Sequence, residues 1–141
     1  MPKLSNSRII SFSIEKIYQA VMDIDSYPRI LNFIRSIKIL EKSDSIIKAR
    51  VFVGLPMLTF SYDCRITYKE PEYINIELIS GPLKKLQASW KFTPISENQC
   101  QVNYSLDSEF KNPLMEMTAG AIFASQLNHS IKAFEDLLKR S

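Results

Sequence analysis

The chain has 141 residues, with 18 lysines and arginines against 15 aspartates and glutamates, for a formal charge of +3 at neutral pH. That length fits a single domain over residues 1–141, and the charge falls well short of the basic surfaces that hold DNA through many phosphate contacts. No apolar run is long enough to cross a bilayer, and residues 1–8 carry no signal-peptide core, so a cytoplasmic protein is expected, with an anionic partner allowed but not required.

Residues 8–13 read as a short first strand, after which Ser13 caps a helix over Ile14–Met22 whose Ile14, Ile17, Tyr18 and Val21 share one face. Asp25-Ser26-Tyr27-Pro28 restarts the chain with Ser26 as a candidate N-cap, and Ile30, Leu31 and Phe33 give a second short amphipathic turn. Five strand-like segments follow at 34–42, 46–53, 58–69, 73–79 and 83–93, with a sixth at 99–110. Three of them alternate cleanly. Phe60, Tyr62, Cys64, Ile66 and Tyr68 oppose polar neighbours, as do Leu86, Ala88, Trp90 and Phe92, and Cys100, Val102, Tyr104, Leu106 and Phe110. Cys64 and Cys100 stand far apart and read as buried free thiols. The breaks between strands are short enough for successive hairpins, which makes a meander. Asn112-Pro113 then opens a helix expected to run unbroken to about Leu138, with Leu114, Met117, Ala121, Ala124, Leu127, Ile131, Phe134 and Leu138 as its apolar stripe. Gly120 within it marks either close backbone approach or simple tolerance.

These elements predict an α+β domain in which a curved antiparallel sheet of about seven strands wraps the long C-terminal helix, with two short helices after the first strand. The hollow of such a sheet is either plugged by aromatic side chains or left as an apolar cavity. In a meander alternate loops share one end, so the loops 54–57, 80–82 and 111–113 cluster, while Asp44-Ser45, Glu70-Pro71-Glu72 and Ser96-Glu97-Asn98 make the other end acidic. Leu55, Pro56, Met57 and Pro82, with Lys84, Lys85 and Lys111 nearby, form an oily, basic-rimmed end suited to touching a membrane or taking up a lipid. The alternative is that Leu55, Met57 and Leu58 tuck under the sheet as ordinary core.

Catalytic signatures are missing. His129 is the only histidine and has no partner at metal-ligand spacing, so no metal is expected. There is no nucleophile elbow, phosphate-cradling glycine loop or dinucleotide fingerprint. Asp23 and Asp25 are explained by capping, and nothing in the sequence places Asp63, Arg65 or Glu116 inside the core. Without a nucleophile, a base and oxyanion donors, neither an enzyme nor a bound cofactor is expected, which also weighs against a cyclase or hydratase on the same architecture.

Three motifs in order, Val21-Met22-Asp23-Ile24-Asp25-Ser26-Tyr27-Pro28, Gly81-Pro82-Leu83-Lys84-Lys85-Leu86 leading to Trp90-Lys91-Phe92, and Phe110-Lys111-Asn112-Pro113-Leu114, resemble the coenzyme Q-binding START-domain family, which includes the bacterial ribosome association toxin A proteins. The resemblance implies the helix-grip (START/Bet v 1-like) fold. It also implies one of two functions: non-enzymatic binding of ubiquinone or a related polyisoprenoid lipid in support of respiration, or a toxin that blocks association of the ribosomal subunits. For the first, Phe60, Tyr62, Leu78, Leu86, Trp90 and Tyr104 from the sheet and Phe123 and Leu127 from the helix would line the lipid site, with an anionic membrane inner face as a peripheral contact. For the second, Lys84, Lys85, Lys91 and Lys111 would face the large ribosomal subunit. Two departures from the family pattern stand out: Ala88-Ser89 before Trp90, expected to narrow the cavity, and Ala133-Phe134-Glu135-Asp136 at the helix end, which puts a surface role there in doubt.

Overall fold

Seven antiparallel strands form one sheet in the order β1-β7-β6-β5-β4-β3-β2 in a computed structural model that describes residues 3–140. Met1, Pro2 and Ser141, at the ends of the expected domain, lie outside the described residues. The strands β2 (Ile34–Lys42), β3 (Ile46–Leu55), β4 (Leu58–Lys69), β5 (Tyr73–Ser80), β6 (Leu83–Ser96) and β7 (Gln99–Phe110) make the expected meander. β1 differs from expectation: it spans Lys3–Ile10 and pairs with β7 from Lys3 against Asp107 to Ile10 against Cys100. It is an edge strand held by backbone pairing, and only Ile10 of it is buried, so side-chain alternation gives no sign of where it begins.

The turns carry the local logic. Leu55 pairs with Leu58, so the β3–β4 hairpin closes on Pro56-Met57 alone, with Met57 in the left-handed region at φ 66°. Gly81 sits at φ 142°, and a Cβ there would come within 2.8 Å of the Tyr62 Cβ. Glycine is therefore required twice over, for the backbone angle and for the approach of the β5–β6 turn to β4.

Helix α1 (Ile14–Met22) begins where the Ser13 hydroxyl accepts from the Lys16 N–H, and it buries Ile17, Tyr18 and Val21. Ser26 does not cap α2 (Tyr27–Ile30). It already lies in a 3₁₀ turn, donates to Asp23 Oδ2 at 2.5 Å and accepts from Arg29 Nη2 at 2.9 Å.

The C-terminal helix is not continuous. It consists of α3 (Pro113–Met115), a π-turn (Glu116–Gly120), α4 (Ala121–Asn128) and α5 (Ser130–Arg140), with exposed His129 at the last break. Asn112 Oδ1 caps its start, accepting from Leu114 N and Met115 N. The π-turn holds an extra residue per turn and rotates the face, so Leu114, Met117 and Ala121 point outward and Ala119, Gly120 and Phe123 inward. From Ala124 onward the expected stripe is buried. Glu116 accounts for the turn: its Oε1 accepts from Phe110 N at 2.9 Å, and its carboxylate occupies the space a Cβ on residue 120 would need. Gly120 thus marks close approach, to a side chain rather than to a backbone.

At the far end, Arg8 Nε meets buried Glu135 Oε1 at 2.5 Å and ties the β1 edge to α5. Phe134 lies edge-on to Tyr27 and Trp90, so the unusual Phe134-Glu135 pair serves the interior.

Candidate functional site: a small apolar cavity with two unpartnered hydroxyls

The concave side of the sheet is largely filled by two groups of rings. Near the β3–β4 hairpin, Phe60 meets Phe110 at 5.2 Å and Phe123 at 5.3 Å, with Tyr62 and Phe33 also against Phe123. Deeper in, Trp90 contacts Tyr104 at 4.8 Å, Phe134 at 5.6 Å and Phe92 at 6.2 Å. Between them lies a cavity of about 50 Å³. It is walled by β2 to β7, by Ile24, Tyr27 and Leu31 of the short helical segment and its end, and by Leu127 and Ser130 of the C-terminal helix. That is room for a water or two, not for an isoprenoid chain. Of the two outcomes left open by the sequence, aromatic plugging dominates in this conformation.

Four of the expected lining residues border the cavity: Tyr62, Trp90, Tyr104 and Leu127. Phe60 and Phe123 stand beside it in the first ring group, Leu86 is buried elsewhere along β6, and half-buried Leu78 packs near the end of β5. Tyr27, Cys64, Ile37 and Ser130 also line it and were not anticipated. Two of these had a signal: Cys64 shares the strand parity of Tyr62, and Ser130 lies one helical step from Leu127. Ala88 is buried on the same face of β6 but does not border the cavity, whereas Ser89 faces outward and shares a hydrogen bond with Ser105.

Burial holds the lining groups neutral. Desolvation pushes the Tyr62 and Tyr104 hydroxyls well above the usual tyrosine range and the Cys64 thiol up to about 12. Both cysteines are free and buried. The Tyr27 hydroxyl donates to the Val21 carbonyl at 2.5 Å. Those of Tyr62 and Tyr104 have no hydrogen-bond partner among the described residues.

The oily end is partly as expected. Leu55 is buried and Leu58 packs against the core, while Pro56 is exposed and Met57 stands fully in solvent. Lys111 N donates to the Pro82 carbonyl at 2.9 Å, which joins the β5–β6 turn to the start of the C-terminal helix. Lys84, Lys91 and Lys111 are exposed. Lys85 is not a free cation at this end. A bulge between Leu83 and Lys85 turns it to the outer face, where its Nζ lies 3.2 Å from Asp107 Oδ1. The π-turn adds two apolar side chains that the expected helix would have buried, Leu114 at 67% exposure and Met117 at 83%.

Among the described residues no cluster of three or more His, Cys, Asp or Glu could hold a metal, and no helix is long and apolar enough to cross a membrane. The family model described as "Polyketide cyclase / dehydrase and lipid transport" matches residues 10–135. The chain belongs to this family. Members similar to it include ribosome association toxin RatA of Escherichia coli K12, 34% identical over 134 residues, 95% of this chain and 85% of that one. Another is the mitochondrial coenzyme Q-binding protein COQ10 homolog B of Xenopus laevis, 25% identical over 93% of this chain and 55% of that one. A START-superfamily structure from Mycobacterium smegmatis superimposes with a TM-score of 0.83 at 22% identity, covering 98% of this chain and 97% of that one. The Zhui aromatase/cyclase of a Streptomyces species also reaches 0.83, at 10% identity, over 99% of this chain and 94% of that one. The helix-grip expectation holds, and proteins named for different activities share this fold.

Proposed function

We propose that the protein is a non-enzymatic binding domain for ubiquinone or a related polyisoprenoid lipid, supporting respiratory electron transport, and that it collects its ligand at a membrane surface. The observation that carries this reading is the apolar cavity in a domain whose hairpin turn and helix start expose Met57, Leu114 and Met117 together with Lys84 and Lys111. Exposed apolar side chains with a basic rim suit an anionic bilayer, each lysine contributing about 1 kcal/mol near the surface. Uptake requires α3 and the π-turn to lift with Phe123, so that Phe60, Tyr62, Trp90, Tyr104 and Leu127 are exposed to the incoming chain. Burial of about 400 Å² of lipid at roughly 25 cal/mol/Å² offers on the order of 10 kcal/mol against that opening and the cost of association. The neutral phenols and thiol of the lining offer no acid–base pair, which favours binding without chemistry. Protein purified from a quinone-containing host is expected to yield quinone on solvent extraction and to float with anionic vesicles, with Met57→Asp plus Met117→Asp losing both. Extracts free of quinone, together with no uptake from vesicles, would overturn the reading.

The second reading is inhibition of ribosomal subunit association. It is favoured by the 34% identity to a protein named for that action and by exposed Lys84, Lys91 and Lys111. On this reading the protein cosediments with the large subunit in sucrose gradients, and the association weakens steeply with salt. Absence of cosedimentation at low salt would eliminate it.

A further inference from the structure

Two tyrosine hydroxyls in the cavity wall are unused by the fold. Tyr62 is 6% exposed and Tyr104 is 3% exposed, both border the cavity, and neither hydroxyl has a partner among the described residues. Neither hydroxyl is used by the fold, and both side chains border space that a ligand atom can enter. The two side chains come from different strands, β4 and β7, and reach the cavity from separate parts of the wall. The nearby phenol of Tyr27 is already committed to Val21. Among the described residues no Lys, Arg, His, Asp or Glu borders the cavity.

We infer that Tyr62 and Tyr104 form a donor pair for an acceptor oxygen of a neutral, carbonyl-bearing ligand, so that the cavity receives the polar head of the ligand and leaves its chain toward the exposed apolar end. The inference rests on the lipid-binding reading above and adds to it the end of the ligand that enters first and the residues that select it. A carbonyl oxygen has two lone pairs and accepts both O–H groups at once. A carboxylate or phosphate would enter an apolar space with no compensating cation, so charged lipids are rejected. A volume of about 50 Å³ matches a carbonyl and its immediate neighbours, and the ring behind it displaces the Phe60 and Phe123 rings on opening.

The protein carries its own reporter, since Trp90 is the single tryptophan and borders the cavity. Quenching of its fluorescence by decylubiquinone measures binding in the wild type, Tyr62→Phe, Tyr104→Phe and the double variant. Squalene, an isoprenoid hydrocarbon without oxygen, competes as the control. Each single substitution is expected to weaken decylubiquinone binding by about 2- to 10-fold, and the double variant by more, with squalene competition unchanged. Thermal melting of the variants without ligand is expected to match that of the wild type, because no internal hydrogen bond is lost. Wild type that binds decylubiquinone no more tightly than the double variant would overturn the donor pair and leave lipid binding standing. Wild type that binds neither decylubiquinone nor squalene would overturn both.

Discussion

Tyr62 and Asp63 are adjacent on β4 and face opposite sides of the sheet, so one strand supplies both an inward hydroxyl and an outward ion pair. Asp63 accepts from Arg50 Nε at 2.7 Å and Nη2 at 3.1 Å, a two-point contact across β3 and β4. That hydrogen bonding holds the Asp63 carboxyl below its usual range. A carboxylate whose folded pKa is depressed stabilises the fold above its unfolded pKa of about 4, and the contribution is lost as pH falls through the folded value. Asp63→Asn is therefore expected to flatten the acid limb of the stability profile below about pH 4, read as urea midpoints at successive pH values. An unchanged acid limb would show that the pair contributes nothing. Which face each of these residues takes is legible from alternation alone. The Arg50 partner of Asp63 follows from the register of the tight β3–β4 hairpin, whereas the lack of a partner for the Tyr62 hydroxyl is not legible, because what surrounds it comes from elements distant in sequence.

The C-terminal helix shows the same limit one level up. Its start, its cap and its buried stripe from Ala124 onward follow from sequence, but the π-turn does not. Helical periodicity assumes a constant turn, and Glu116-Met117-Thr118-Ala119 reads as ordinary helix. What decides the turn is a short-range bond across the strand–helix junction, from the Phe110 N–H at the end of β7 to the Glu116 carboxylate, which periodicity within the helix does not register. Glu116→Ala leaves that partly buried N–H without its acceptor and is expected to cost about 1–3 kcal/mol in chemical denaturation. Faster deuterium uptake across residues 113–120 should accompany the loss, since the bond fastens this segment over Phe110 and Phe123. Unchanged stability and exchange would show that the π-turn is set by something else. β1 is missed for a related reason, because an edge strand with one buried side chain leaves no periodic trace.

At the scale of the molecule, the curved sheet, the gripping helix and the clustering of loops at one end all follow from six hairpin-linked segments and a terminal amphipathic run. The size of the interior does not, because volume depends on how rings from many elements interlock. Phe33, Phe60, Phe110 and Phe123 fill space that the alternation pattern alone would leave empty. The strand order carries a further consequence. Among the described strands β1 pairs with β7 alone, with Lys3 opposite Asp107, although the two lie at opposite ends of the sheet-forming sequence. Each hairpin from β2 to β7 joins neighbours in sequence, whereas β1 finds its partner across the whole meander. Its docking, with the Arg8 contact to Glu135, is the pairing of highest contact order in the sheet, so sealing this edge carries the largest loop-closure cost.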